Sequence, residues 1–285
     1  MTNFQKIIKY GAIAFAIYLC ITIIGMIVFG ITILFGIGTG MEIFQNYTED
    51  TAMITKWEQE YTNITNLDID LSVCQLKIKK GNTLKVDVSN VSDEFKCEAK
   101  QNKLEIKDTK VIRNFWGIHD TKSEVTIYIP ETIILEEINM KTGVNETEIE
   151  YLNAENMRLE IGIGKCNIKE LSAQYAKIKL GAGETVIHKA EMERLKLEGG
   201  IGKLAFKSKI TEKAEIHCGI GKMELGLIGE KEDYQIKAET GLGNFKVAGQ
   251  KVSDESVIGS GDAIIEVEAG IGEMTIEFEK GLIED

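Results

Sequence analysis

The sequence predicts an all-β protein: a parallel β-solenoid (β-helix) of ~19–22-residue coils, preceded by one N-terminal transmembrane helix. Three observations predict it. A glycine returns every 19 residues through five successive copies, apolar residues alternate with polar ones from Leu67 onward, and the run from Gly11 to Met41 carries no charge. Composition agrees with short strands joined by tight turns, because 28 glycines and a single proline leave glycine to do the turning.

The uncharged run comes first in the chain. A helix crossing a bilayer needs about 20 apolar residues, and the stretch GAIAFAIYLCITIIGMIVFGITILFGIGTG exceeds that, leaving slack for tilt or a glycine-rich exit at Gly36–Gly40. Lys6 and Lys9 precede it, and Glu42, Glu49 and Asp50 follow. Basic flanks stay in the cytoplasm. The expected layout is therefore a cytoplasmic tail at 1–10, a transmembrane helix at 11–40 embedded in the lipid bilayer, and an extracellular remainder. A cleavable signal has an apolar core of about 7–15 residues and a small-residue cleavage site. This run is longer and no A-x-A follows it. The chain ends EFEKGLIED without a sorting signal, so attachment is expected through the N-terminal helix.

Residues 41–65 read as a polar juxtamembrane spacer, and 66–285 as the solenoid: irregular first coils over 66–135 and regular coils over 136–285. Period-two alternation marks strands at Leu67, Ile69, Leu71 and Val73, then Leu84, Val86 and Val88, then Leu104 and Ile106, then Val125, Ile127 and Ile129 up to Pro130.

The repeat itself is carried by paired turn residues. The first of each pair is Gly143, Gly162, Gly181, Gly200, Gly219, Gly241 and Gly270; the second is Asn145, Gly164, Gly183, Gly202, Gly221, Gly243 and Gly272. Asn and Gly both tolerate positive φ, so the second position is expected to be left-handed in every coil. Stacking the copies aligns three apolar columns: Met140, Leu159, Ile178, Leu197 and Ile216; then Val144, Ile163, Ala182, Ile201 and Ile220 between the turn residues; then Ile149, Ile168, Ile187, Phe206 and Leu225. All three are expected to fill a shared interior, since no single coil could bury its apolar face alone. An outward column, Lys141, Glu160, Lys179, Glu198 and His217, alternates in sign, which favours this register on adjacent strands.

The opening LDIDLSVCQLKIKKG, the stretch VTIYIPETIILEEINMKTG and the G-x-G/N turns resemble the bacterial putative-adhesin family, over roughly residues 66–280. The resemblance implies a cell-surface location and a parallel β-solenoid. It implies no activity and supplies no catalytic residues.

Other chemistry is poorly provided for. The net charge is −12, and with +2 in residues 1–40 the remainder carries −14, so nucleic acid is excluded as a partner. The G-x-G turns lead into strands and lack the phosphate-binding fingerprints. GGIGKLAFK echoes a calcium nonapeptide, but its aspartate position holds Leu204, with Cys166, Thr185 and Met223 in other copies. The expectation is no cofactor, no metal and no catalytic residue. Cys20, Cys74, Cys97, Cys166 and Cys218 show no metal-binding spacing. Cys166 and Cys218 fall too far apart to pair, and spacing leaves a Cys74–Cys97 bond open. His188 and His217 sit in different outward columns.

One stretch breaks the pattern. TKVIRNFWGIHDTKS, residues 109–123, holds Arg113, Phe115, Trp116, His119 and Asp120; Phe115 and Trp116 suit capping of the solenoid's terminal edge, and aromatics beside arginine are also the composition of a binding hot spot. The functional expectation is a non-enzymatic, membrane-anchored surface solenoid for adhesion or interaction with an envelope or surface protein or a glycan. The alternative is an envelope-stress sensing or signalling accessory. A polysaccharide-degrading β-helix enzyme would need paired carboxylates in distinct environments, and no column of acids interrupts the repeat.

Overall fold

The computed structural model describes residues 53–108 and 123–279. The segment 11–40 lies outside the described residues, and among those that are described no helix is long and apolar enough to cross a membrane. The described chain is all-β apart from one 3-10 turn, Lys231–Asp233.

Its middle is a stack of parallel coils. Strand Leu135–Ile149 lies on Asn66–Gly81 with Ile69 opposite Met140, Val73 opposite Val144 and Ile78 opposite Ile149. The long strand Leu152–Glu198 continues the stack, with Met140 opposite Leu159 and Val144 opposite Ile163. Ile201–His217 follows, pairing Gly183 with Gly202 and Leu197 with Ile216. The 19-residue period slips by one at Ile187/Ala190 and recovers by Arg194, so the coil there loses a residue at one place and regains it at the next. Two of the three expected columns are interior. The Met140 and Ile149 columns are buried throughout, joined by further inward columns such as Leu152, Leu171 and Ala190.

The stack departs from chain order at its C-terminal end. Ile220–Ile228 pairs with Ile271–Glu279, which in turn pairs with Leu242–Val247. The coil bearing Gly270 is thus inserted between those bearing Gly219 and Gly241. Strand Ala263–Glu268 is likewise inserted between Ile201–His217 and Tyr234–Glu239.

The sheet is mixed rather than wholly parallel, because both ends are finished by antiparallel strands. Lys103–Asp108 and Glu124–Pro130 lie parallel on the two halves of Asn66–Gly81. Beyond them, Lys96–Lys100, Leu84–Ser92 and Met53–Tyr61 run antiparallel. At the other end Gln250–Lys251 and Ser256–Ile258 fold back on their neighbours. An open parallel edge would template pairing with another chain, and reversed strands blunt it. Trp57 and Phe95 pack edge to face across the N-terminal cap, with ring centroids 6.0 Å apart.

Candidate functional site

The structure corrects the reading of the middle apolar column. Val144, Ile163, Ile201 and Ile220 point outward, together with Val73, Ile271 and Leu242; Ile201 is 61% exposed and Leu242 75%. Ala182, half-buried, completes the row. Register places these eight residues on consecutive rungs: 73, 144, 163, 182, 201, 220, 271, 242. At ~4.8 Å per rung the row is about 34 Å long.

The local backbone explains why the row faces out. In the coil from Ile138, inward residues alternate through Met140 and Thr142, then resume at Asn145, Thr147 and Ile149. Two residues, Gly143 and Val144, lie between Thr142 and Asn145 instead of one, so the alternation breaks there, as a bend between two faces requires. A Cβ at Gly162 or Gly164 would point down the stack into the carbonyl oxygens of Gly143 or Asn145. Glycine on both sides of the bend is therefore steric, and the residue between stands on the corner with no side chain beside it. The second glycine has φ between 131° and 153° at Gly164, Gly183, Gly202, Gly221, Gly243 and Gly272. Asn145 is a correction: it is not left-handed, and its side chain turns inward, where Nδ2 donates to Cys74 Sγ at 3.6 Å.

Two columns of charge flank the corner. On one side stand Lys141, Glu160, Lys179, Glu198, His217 and Glu268; on the other Glu146, Lys165, Glu184, Lys203, Lys222 and Glu273. Several in the first column pair along the stack, such as Lys179 with Glu198 at 3.0 Å and His217 with Glu268 at 2.7 Å. The Lys179 ammonium, with Lys177 behind it, holds the Glu198 carboxyl below its ordinary value. Among the described residues, Lys141, Glu160, Glu146, Lys165, Glu184 and Lys203 have no ion-pair partner.

A cavity of about 220 Å³ is lined by the corner glycines together with Leu204, Met223, Phe245 and Met274. Cys218 donates its thiol hydrogen toward Met223 Sδ at 3.3 Å and Met274 Sδ at 3.2 Å. Burial pushes the Cys218 thiol up to about 11, and those of Cys74 and Cys166 to about 12. None of these is a poised nucleophile. Cys97, pushed up to about 11 by burial, accepts from Tyr61 Oη at 3.1 Å. Cys74, Cys97, Cys166 and Cys218 are all free thiols. Among the described residues, no group of three or more His, Cys, Asp or Glu gathers as a metal site. His188 Nε2 donates to Asn167 Oδ1 at 2.9 Å, whereas His217 pairs with Glu268.

The recognition residues expected from sequence, Arg113, Phe115, Trp116, His119 and Asp120, lie outside the described residues. The stems of that segment are fixed: Asp108 accepts from Ser92 N and Oγ at 3.1 and 2.7 Å, and Ser123 Oγ donates to Asn90 O at 2.6 Å.

The described solenoid is capped by antiparallel strands at both ends, and its corner presents a row of exposed apolar side chains. The chain belongs to the Toastrack family: the family model, Toastrack DUF4097, matches residues 64–279. It is similar to solved structures of a putative adhesin from Bacteroides fragilis (14% identity, TM-score 0.44, covering 79% of this chain and 97% of that one). Others are a putative cell adhesion protein from Clostridium sporogenes (19%, 0.31, 80% and 100%) and a putative lipid binding protein from Parabacteroides distasonis (14%, 0.30, 80% and 97%). No curated protein matches. The family model spans nearly the same stretch, roughly 66–280, over which the sequence motifs carry their resemblance.

Proposed function

We propose that this chain is a non-enzymatic cell-surface interaction protein, anchored through residues 11–40 with its N-terminus in the cytoplasm, that engages another macromolecule along the corner row. The carrying observation is the exposed apolar row: Val73, Val144, Ile163, Ile201, Ile220, Ile271 and Leu242 stand in register with glycines on either side of most of them. A contiguous exposed apolar strip of this length marks an interaction surface. The uncharged run after Lys6 and Lys9 supports the anchor and its orientation.

The test is photo-crosslinking in living cells. A photoreactive amino acid is placed in the full chain at Ile163, Ile201 or Ile220, or at exposed Glu191 as a control away from the row. Adducts at the row and none at Glu191 are expected. Equal yields at all four positions would remove the row as the contact surface. External protease added to the same intact cells checks the location, and release of solenoid peptides only after lysis would reverse the orientation.

A further inference from the structure

We propose that the occupant of the corner row is a second copy of this chain, in a two-fold dimer whose axis runs parallel to the stack. The proposal rests on the row being an interaction surface and goes on to name the partner.

Charge leads to it. Over the four coils from Lys141 to Lys203 each flanking column alternates in sign, and stacking within one chain accounts for alternation in a column. It does not account for the relation between columns. In four consecutive coils the two flanks carry opposite signs: Lys141 with Glu146, Glu160 with Lys165, Lys179 with Glu184, and Glu198 with Lys203. Within a chain, the members of each pair stand on opposite sides of the corner, at most about 17 Å apart along extended backbone, and no ion pair joins them. Lys179 and Glu198 pair along their own column, and the other six side chains have no ion-pair partner among the described residues, so the ion pairs described there do not set the relation between the columns.

Shape leads to the same arrangement. Consider a two-fold axis along the stack, midway between the first glycine and the apolar residue of each coil. It lays Ile163 of one copy over Gly162 of the other, and Ile201 over Gly200. Those glycines carry no side chain, so the second copy's side chain would meet bare backbone there. The same axis sets Glu160 against the second copy's Lys165, Lys179 against its Glu184 and Glu198 against its Lys203. One operation satisfies both the apolar fit and the charge phase, and repeats them twice by symmetry. The match ends where the phase ends: His217 would meet Lys222, and Glu268 would meet Glu273. The footprint, about 34 Å by at most 17 Å, is below 600 Å² per copy, against about 800 Å² for a standard interface. The dimer is of the weak class, suited to chains held at high local concentration.

The experiment uses the full chain in cell membranes. Cysteine is introduced at Ile163, Ile201 or Ile271, or at Glu191, and a short bismaleimide is added, with the unaltered chain as background. Covalent dimer at all three row positions and only background at Glu191 is the expected result. Dimer confined to the middle of the row would overturn the parallel axis, and no dimer at any row position would overturn self-association. Should photoadducts with other molecules persist in that last case, the interaction surface stands and only its partner changes. A charge swap adds a readout that packing alone would not move. Glu160→Lys brings like charges together and weakens dimerisation about tenfold. Lys165→Glu added to the same chain restores it. A double variant no better than Glu160→Lys alone, with thermal midpoints unchanged, would sink the proposed facing.

Discussion

Replacing Gly202 by alanine tests the geometry of the corner directly. Gly202 has φ +136°, a region that residues bearing a Cβ rarely adopt, at about 1–3 kcal/mol. Its new methyl would also point into the carbonyl oxygen of Gly183 on the rung below, closer than any real Cβ contact. Relieving that overlap means parting two rungs by roughly an ångström. That loosens the backbone ladder in which Ala182, Gly183 and Glu184 lie opposite Ile201, Gly202 and Lys203; each lost bond is worth about 0.5–1.5 kcal/mol. The sum is about 3–4 kcal/mol, which lowers the thermal midpoint of a chain this size by roughly 10 °C. Gly249 is the matched control. It too has positive φ, +74°, but a Cβ there meets nothing within 4 Å. Gly249→Ala carries only the backbone cost, about 1–2 kcal/mol, or a fall of roughly 2–8 °C. The assay is thermal unfolding of the full chain in detergent, followed by far-UV circular dichroism. If Gly202→Ala melts no lower than Gly249→Ala, the corner glycines are not set by contact between coils, and the account of why the row faces outward fails with them.

Two further outcomes follow from burial. Phe206→Ala, in the interior, should cost about 3–5 kcal/mol, while Ile201→Ala, five residues earlier on the corner, should stay within about 0.5 kcal/mol; similar losses in urea unfolding would return the middle column to the core. Stability should also fall in alkali. The buried thiols keep their protons to about 11 or 12 in the folded chain, whereas unfolded thiols ionise near 9.0, so the unfolded state releases protons that the folded state retains. Their contribution is complete below pH 9 and is lost as pH rises through 11 to 12. Tyr61 and Tyr234, raised first by burial, act in the same direction. A urea midpoint that does not decline between pH 9 and 10, or that declines equally in a Cys74→Ala/Cys166→Ala chain, would refute this.

Much of the fold was legible because glycine reports geometry. The 19-residue spacing survives in the register itself, with Gly183 opposite Gly202 and Gly202 opposite Gly221. The side of the middle column was misread because strict alternation was carried across the bend. A signal against it was present. Met140 and Ile149 are both interior yet nine residues apart, an odd separation, so alternation had to break once between them. The paired turn residues are the place where it breaks. The antiparallel caps were not legible, since alternation has the same period whichever way the neighbouring strand runs. Nor was the insertion of the Gly270 coil before the Gly241 coil. Ile271 fits beside Ile220 or Leu242 equally well, and only the longer spacing, 29 residues, hinted at an excursion.

A purely local account of the row would hold that β-branched side chains stack well on exposed strands. That account treats threonine as the equal of isoleucine or valine, and adds solubility in its favour. The chain uses threonine close by, but inside: Thr142, Thr147 and Thr185 are buried within the corner, and the first two hydroxyls lack a hydrogen-bond partner in the described structure. At the eight outward rungs there is no threonine; there are four isoleucines, two valines, a leucine and an alanine. Hydroxyls are thus placed where they cost stability, and apolar groups where solvent should exclude them. Strand propensity does not sort residues in that direction. Contact with another apolar surface at the outward position does, which is why Ile201→Thr, preserving shape and propensity, should leave the thermal midpoint of the full chain in place while reducing its cross-linked dimer. A dimer yield unchanged by Ile201→Thr would leave propensity as the sufficient explanation of that rung.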